Sequence, residues 1–293
     1  MQLAQPGVLD PIPLVARHVT FALDSGPSAG AALRALAQIA DGRTCVVGVG
    51  EPLLRAMKRP IKGMRLFPGQ VGAGFAIPST PAALWCWLRG EDRGELLHLT
   101  RAIKQVLGRA FQTMSIIDSF RYGSGRDLTG YEDGTENPQG RKALRTALVH
   151  GCGKGFDGST FAAVQQWLHD LERFEGMPRR TQDKTIGRRR SDNREIENAP
   201  PTAHVKRTAQ ESFAPAAFVL RRSMPWASAT EAGLVFVAFG KSLDAFEALL
   251  TRMTGSEDGI SDALFTFTRP VTGAYFWCPP MDRGRLDLCA LGL

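Results

Sequence analysis

The alternation of strand-like and helix-like segments is the feature that most constrains the fold of this chain. In the first third, runs of β-branched and apolar residues predict strands at 18–23, 44–49, 84–88 and 114–121. Apolar residues at helical spacing predict helices at 28–39 and 96–107. Residues 51–75, which include Pro60 and Pro68, are predicted to be irregular. This β-α-β, β-α-β order is typical of a ferredoxin-like sandwich, an antiparallel sheet with helices on one face.

The same order returns after a glycine-containing loop at 123–140. Strands are predicted at 161–168, 218–222, 234–239 and 272–277, and a strongly amphipathic helix at 243–253. Two similar halves predict an α+β fold of duplicated ferredoxin-like sandwiches, with antiparallel sheets and peripheral helices. We place the halves at residues 1–145 and 146–293, because the glycine-rich stretch 140–158 suits a boundary.

Composition excludes several classes of protein. With 293 residues, 43% of them apolar and 22% charged, the chain can bury a sizeable core. It contains no apolar run of the roughly 18 residues that a membrane span needs, and we predict no secretory signal. Its five cysteines form no CxxC pair, which argues against a disulfide framework or a thiolate zinc site. Free thiols favour a cytoplasmic location.

The formal net charge of +7 raises the question of an anionic partner. The densest basic stretch holds seven cations: Arg179, Arg180, Lys184, Arg188, Arg189, Arg190 and Arg194. Asp and Asn, and not aromatic residues, lie between them, so stacking of bases is not expected. We predict a solvated loop here and no binding of nucleic acid.

Residues 126–138, RDLTGYEDGTENP, predict a tight acidic loop. Gly130 and Gly134 permit backbone conformations that other residues resist, and three carboxylates, Asp127, Glu132 and Asp133, crowd together. Such a cluster fits a divalent metal site or a tuned acid/base group. It equally fits a turn whose side chains cap their own backbone, so the residues alone leave all three readings open.

Among the five histidines, His204 lies in PPTAHVKRT, where Thr202 is a plausible helix cap. On a helix Arg207 would share its face one turn later, so an imidazole and a cation would stand side by side. Haem iron binds imidazole, and the haem propionates bind cations. His169, in WLHDL, is the strongest competitor, and we expect it to pair with Asp170. Arg221 ends a predicted strand before a proline turn, where it could point into a pocket.

Taken together, these segments resemble a known family. GYEDG matches the G-x-x-D-G motif of the dye-decolorizing haem peroxidases, and RDLTGYEDGTENP resembles the class B branch of that family. The segments VQQWLHDL, IGRR, AHVKR, LRRSMPW and RPVTGAYFW follow in family order, and QPGVLDPIP resembles the family's opening. The resemblance therefore covers nearly the whole chain.

The resemblance implies a peroxidase that reduces hydrogen peroxide and oxidises dyes, phenols or similar one-electron donors. It implies heme b as cofactor, one per chain, with His204 as the ligand of the iron. On the peroxide side it implies Asp133, Arg221 and Ser223 as catalytic residues. Six further residues are implied in cofactor binding: Arg207 at a propionate, Gly134, Thr135 and Glu136 in the loop, and Leu234 and Phe236 as apolar cover. Asp282 is implied as the partner of the His204 imidazole.

Hydrogen peroxide and small aromatic electron donors are the expected partners, in a cytoplasmic homo-oligomer of two or more chains, with neither nucleic acid nor membrane. The ending RLDLCALGL resembles no extended tail of the kind that docks some relatives into encapsulin shells, so such packaging is not expected. Two alternatives remain: a protein that binds haem or handles haem iron without peroxidase turnover, and a non-haem module whose acidic loop binds a divalent metal.

Overall fold

The computed structural model describes residues 3–24, 29–72 and 74–293. The helices are α1 Pro6–Leu9, α2 Ala29–Ile39, α3 Glu51–Ala56, α4 Arg93–Leu107, α5 Gly140–Ala147, α6 Leu171–Glu175, α7 Arg179–Ile186, α8 His204–Arg207 and α9 Asp244–Met253. The strands are β1 Val15–Leu23, β2 Cys45–Gly50, β3 Gln70–Gly72, β4 Phe75–Ile77, β5 Leu84–Gly90, β6 Phe111–Phe120, β7 Thr160–His169, β8 Leu220–Arg221, β9 Met224–Ala227, β10 Ala232–Gly240, β11 Thr268–Pro270, β12 Ala274–Cys278, β13 Met281–Asp282 and β14 Arg285–Leu286.

Each half of the chain forms an antiparallel sheet with the strand order of a ferredoxin-like fold. The first half gives β6-β1-β5-β2 and the second gives β9-β10-β7-β12. Helices α2 and α4 connect the strands of the first half, and α9 lies between β10 and β12 in the second. The predicted α+β fold of duplicated ferredoxin-like units is therefore confirmed. The division at residues 145 and 146 stays a prediction.

The two sheets join edge to edge and close on themselves. One junction is between β6 and β9, where Ser119 is opposite Trp226, and the other is between β2 and β12, where Val49 is opposite Trp277. Strands β8 and β11 extend this closed sheet beside β10 and β7. As a result, side chains of both halves face one another inside the closed sheet.

Side chains alternate between two hydrophobic cores on opposite faces of the strands. On β5, Cys86 and Leu88 pack with the core that includes helices α2, α4 and α9. Trp85 and Trp87 point the other way, into a second core built from strands of both halves. Each strand with two buried faces reads as a continuous apolar run, which is why LWCWL shows no polar alternation.

Several boundaries differ from the sequence-based expectations. Residues 51–75 are not wholly irregular, because Pro52 lies in the first turn of α3 and β3 pairs with β4 in a hairpin. Helix α4 begins at Arg93, three residues early, because the Asp92 carboxylate accepts a hydrogen bond from Glu95 N and caps the helix. The predicted start of α2 at residue 28 lies outside the described residues. Across the described ranges, no helix is both long and apolar enough to span a membrane.

The second core can be tested at Phe239, which is fully buried and packs against Trp85 and Trp87. We expect Phe239→Ala to lower the free energy of unfolding by about 3–5 kcal/mol, because it leaves a cavity between the two halves. Urea denaturation measures the change. Leu97→Ala, at a half-exposed position on α4, is the control and should shift stability by less than about 0.5 kcal/mol. Equal effects of the two substitutions would contradict this view of the core.

Candidate active site

A cavity of about 330 Å³ lies against the face of β7 and β10 that also faces α9. Its apolar wall comes from β10 and α9: Leu234, Phe236, Phe246, Leu249, Leu250 and Met253. Seven of the residues expected from the sequence line it: Asp133, Thr135, Glu136, His204, Arg221, Leu234 and Phe236. Mainly apolar walls with a few convergent polar groups are typical of cofactor and ligand sites.

His204 is held by a carboxylate with no exposed side-chain surface. Its Nδ1 donates to Oδ2 of Asp262 over 2.7 Å, and Oδ1 of Asp262 accepts from Leu264 N over 2.9 Å. This fixes the ring and leaves Nε2 as the nitrogen available to a ligand. The expected partner Asp282 is wrong: it lies on the β13–β14 hairpin, with its side chain exposed. The expected cap Thr202 is also wrong, because the residue at the N-cap of α8 is Ala203.

His169 lines the same cavity, but both of its ring nitrogens are engaged. Nε2 hydrogen-bonds to Oδ2 of Asp127 at 3.0 Å, and Nδ1 to Oγ1 of Thr268 at 2.6 Å. The expected pairing with Asp170 is wrong, since the Asp170 carboxylate instead caps α6 by accepting from Arg173 N. Of the two cavity histidines, His204 is therefore the one with a nitrogen available for a ligand bond.

Asp127 joins the acidic loop to β7. Burial alone would raise the pKa of its carboxyl, but the hydrogen bond and charge of His169, together with bonds from Thr129, hold that pKa below its usual value. Oδ1 accepts from both the backbone N and the hydroxyl of Thr129. The carboxylate thus anchors the loop at its start.

Asp133 and Arg221 meet in the cavity, with 3.4 Å between Oδ1 and Nη1. The same Oδ1 accepts from Gly134 N over 2.7 Å, and the positive φ of Gly134, 74°, forms the turn that allows this contact. Asn137 hydrogen-bonds to the main chain of Arg221 in both directions: its Nδ2 donates to the carbonyl and its Oδ1 accepts from the N–H. The acidic loop is therefore fixed to β8.

Arg222 points away from this pair. Its guanidinium donates to the carbonyl of Leu9, and burial together with the charge of Arg89 lowers its pKa to about 10. Ser223 and Gly134 do not appear in the cavity wall. The buried Ser223 hydroxyl accepts instead from Val237 N, at 3.4 Å.

Arg207 does not face the cavity. Its guanidinium is buried and donates two hydrogen bonds to Asp258, of 2.7 and 2.8 Å, and another to the carbonyl of Arg252. The expectation of a propionate contact is therefore not supported. Arg188, a cation of the basic stretch, lines the cavity instead, and its side chain is only 12% exposed. Its Nη2 lies 2.6 Å from Oε1 of Glu136 and 3.6 Å from Oε2 of Glu195.

The other cations of that basic stretch are exposed, as expected, but the first part of the stretch is a helix and not a loop. Residues 179–186 form α7, which ends at Gly187 with φ of 91° and turns the chain so that Arg188 enters the cavity wall. Helical spacing around His204 drew attention to Arg207, whereas Arg188 carried no local signal beyond the IGRR segment. Asp262 was missed because it is 58 residues from its partner.

The three loop carboxylates do not converge. Asp127 pairs with His169, Glu132 with Arg126 and Ser124, and Asp133 with Arg221. Within the ranges that the structure describes, no group of three or more His, Cys, Asp or Glu side chains is arranged to hold a metal ion. These partners favour local anchoring of the loop over the divalent metal site.

Comparison with known proteins decides the family. Residues 124–283, more than half of the chain, match the family model described as Dyp-type peroxidase, C-terminal. The chain belongs to the Dyp-type peroxidase family. It is 28% identical over 246 residues to a dye-decolorizing peroxidase of Mycobacterium tuberculosis, covering 81% of this chain and 73% of that one. It is 29% identical over 254 residues to one of Rhodococcus erythropolis, covering 83% and 74%.

Solved structures extend the likeness to this family over the whole fold. A structure from Shewanella oneidensis superposes with a TM-score of 0.87 and 26% identity, covering 99% of this chain and 98% of that one. A DypB variant of Rhodococcus jostii RHA1, solved in complex with haem, gives a TM-score of 0.86 and 26% identity, covering 93% and 94%.

The Asp127–His169 pair makes a prediction about pH. Because the folded-state pKa of Asp127 lies below the ordinary 3.8, the ionised carboxylate stabilises the fold above that pH, and this contribution is lost as the pH falls through the lowered pKa. Asp127→Asn should therefore lower the free energy of unfolding by about 1–3 kcal/mol at neutral pH, and by less in acid. Urea denaturation from neutral to acid pH measures the difference in unfolding free energy between the wild type and the variant. Glu172→Gln, at an exposed position, is the control. A gap that does not narrow in acid would argue against the pair.

Proposed function

We propose that this chain is a haem-dependent peroxidase that reduces hydrogen peroxide and oxidises dyes, phenols or similar small aromatic donors. The observation that carries the proposal is the free Nε2 of His204, in an apolar cavity that also contains the Asp133–Arg221 pair. Membership of the Dyp-type peroxidase family supports it.

The residues of the cavity fit a haem. His204 would ligate the iron through Nε2, and Asp262 would hold the imidazole in the required tautomer. Arg188 and Lys206 line the cavity and in this structure bind carboxylates, those of Glu136 and Glu195, so their donors suit propionates. Leu234 and Phe236 would cover the apolar macrocycle. A single heme b per chain is our proposal for the cofactor.

When bound, the haem would supply the iron that takes oxidising equivalents from peroxide and passes them on one at a time. Asp133 would move the proton between the two peroxide oxygens. Its Oδ1 already accepts from Gly134 N and faces Arg221, which leaves Oδ2 as the atom to take and return that proton. The Arg221 guanidinium stays charged and would stabilise negative charge on the departing oxygen. Ser223, buried beside β10, would support this side of the site from behind.

Asn137 gives this pair a fixed geometry. Because it hydrogen-bonds to the main chain of Arg221 and belongs to the same loop as Asp133, it holds both catalytic candidates in one frame. Preorganised charges need no rearrangement when the reaction begins, which is a main source of electrostatic catalysis.

A haem-binding protein without turnover is the alternative from another class, since His204 would serve it equally. Peroxide added to the haem-loaded protein separates the two. Rapid change of the haem spectrum, reversed by a phenol or a dye with formation of oxidised donor, supports the peroxidase. A spectrum that peroxide leaves unchanged supports the carrier.

The finer assignments are proposals of the same kind. The loop RDLTGYEDGTENP supports the class B branch, and the five unpaired cysteines fit a reducing cytoplasm. We also propose that the chain forms a homo-oligomer of two or more copies, and analytical ultracentrifugation measures its mass.

His204→Ala should abolish the histidine-ligated haem spectrum, because the iron loses its protein ligand. Absorbance titration of the apoprotein with haem measures this. His150→Ala, an exposed histidine, is the matched control and should bind haem as the wild type does. An unchanged Soret band in His204→Ala would overturn the ligand assignment.

Asp133→Ala and Arg221→Ala should each slow the reaction with peroxide by roughly 100-fold or more, because one removes the proton carrier and the other the stabilising charge. Stopped-flow absorbance measures the rates, and the variant with the larger loss identifies the dominant residue. Arg141→Ala, on the exposed side of α5, is the control. Wild-type rates in both site variants would refute this mechanism.

A further inference from the structure

Gln165 is a polar residue in the cavity wall to which the proposed mechanism assigns no task. It lies on β7, lines the cavity and is only 1% exposed. Its Oε1 accepts a hydrogen bond from the indole Nε1 of Trp167 over 3.2 Å. Its Nε2 is buried and has no hydrogen-bond partner among residues 3–24, 29–72 and 74–293.

The indole fixes which end of the amide is the donor. Trp167 Nε1 can only donate, so the amide atom facing it must be the oxygen. Rotating the amide by half a turn would set two donors against each other and break the one bond that the side chain makes. The NH₂ group of Gln165 is therefore directed away from Trp167, and it is a donor without an acceptor among the described residues.

The surroundings of Gln165 offer little compensation. In the register of the sheet Gln165 is opposite Phe236, and Trp167 is opposite Leu234, both of which belong to the apolar cavity wall. A buried donor without an acceptor is costly, and most such groups in folded proteins are paired. A donor retained here is explained if whatever fills the cavity supplies the acceptor.

We infer that Gln165 donates a hydrogen bond from Nε2 to an acceptor oxygen or anion of the group that fills the cavity. The inference rests on the proposed function, in which that group is a haem with its small ligands. Two sources share this chemistry: a carboxylate of the cofactor, and an anionic ligand on the iron. In either case Gln165 is a binding residue additional to His204, Asp133 and Arg221.

The test uses Gln165→Met, which keeps the volume and removes the donor, and Gln165→Glu, which keeps an acceptor for Trp167 and replaces the donor with an oxygen. Gln166→Met is the matched control, because the next residue of the strand faces the opposite side of the sheet. Circular dichroism and thermal unfolding establish that each apoprotein is folded.

Two readouts separate the sources of the acceptor. If it is a cofactor carboxylate, Gln165→Met should weaken the binding of haem roughly tenfold and the binding of haem dimethyl ester by much less, because a neutral ester oxygen is a weaker acceptor than a carboxylate. If it is an iron ligand, haem affinity should stay at the wild-type value while the affinity of the ferric holoprotein for fluoride falls roughly tenfold. In both cases Gln165→Glu should bind the affected ligand, haem or fluoride, more weakly than Gln165→Met does, because the carboxylate oxygens of Glu repel the acceptor.

Haem and fluoride affinities equal to those of Gln166→Met in both Gln165 variants would overturn the inference while leaving the proposed function intact. A wild-type protein that binds no haem would overturn the proposed function and this inference with it.

Discussion

Strand β7 is the constraint on which the rest of the structure depends. It hydrogen-bonds to β10 along one edge and to β12 and β11 along the other, so the second sheet cannot form without it. The same strand presents Gln165, Trp167 and His169 to the cavity at every second residue. Because a shift of one residue would turn all three to the opposite face, the register that builds the sheet also builds the site.

The two cavity histidines show how a neighbouring carboxylate can give one residue type two different uses. Asp262 holds only Nδ1 of His204, and the other nitrogen remains for a ligand. Asp127 and Thr268 together engage both nitrogens of His169, which makes that ring part of the scaffold. One additional hydrogen bond separates a candidate metal ligand from a structural residue.

The order of the main strands and helices could be predicted because it depends on the spacing of apolar residues within each segment, which is a local property of the sequence. Asp133, His204 and Arg221 could be named because they lie in contiguous motifs. Asp262 could not, since its partner is distant in the chain and only the fold brings the two together. The position of the Arg207 guanidinium could not be predicted for a related reason. Helical spacing puts Arg207 one turn from His204, but its guanidinium binds Asp258, which no local pattern connects to it.

For the basic stretch at residues 179–194, composition predicted too much exposure to solvent. Its composition predicted solvent exposure, and most of its charges do lie near the surface, but the turn at Gly187 carries Arg188 inward to two glutamates. A left-handed turn is a property of the backbone path, and charge counting does not include it. Residues 51–75 were likewise expected to be irregular, but Pro52 lies in the first turn of helix α3, where a proline is well accommodated.

The hydrogen bonds of Asn137 have a consequence for how such a site can change over time. They connect one side chain to the main chain at Arg221, so they do not depend on which side chain occupies position 221. The side chain at position 221 can therefore be exchanged while the loop and strand keep their relative position. The chemistry of the cavity is free to diverge on a frame that is maintained separately, and selection can act on the two independently.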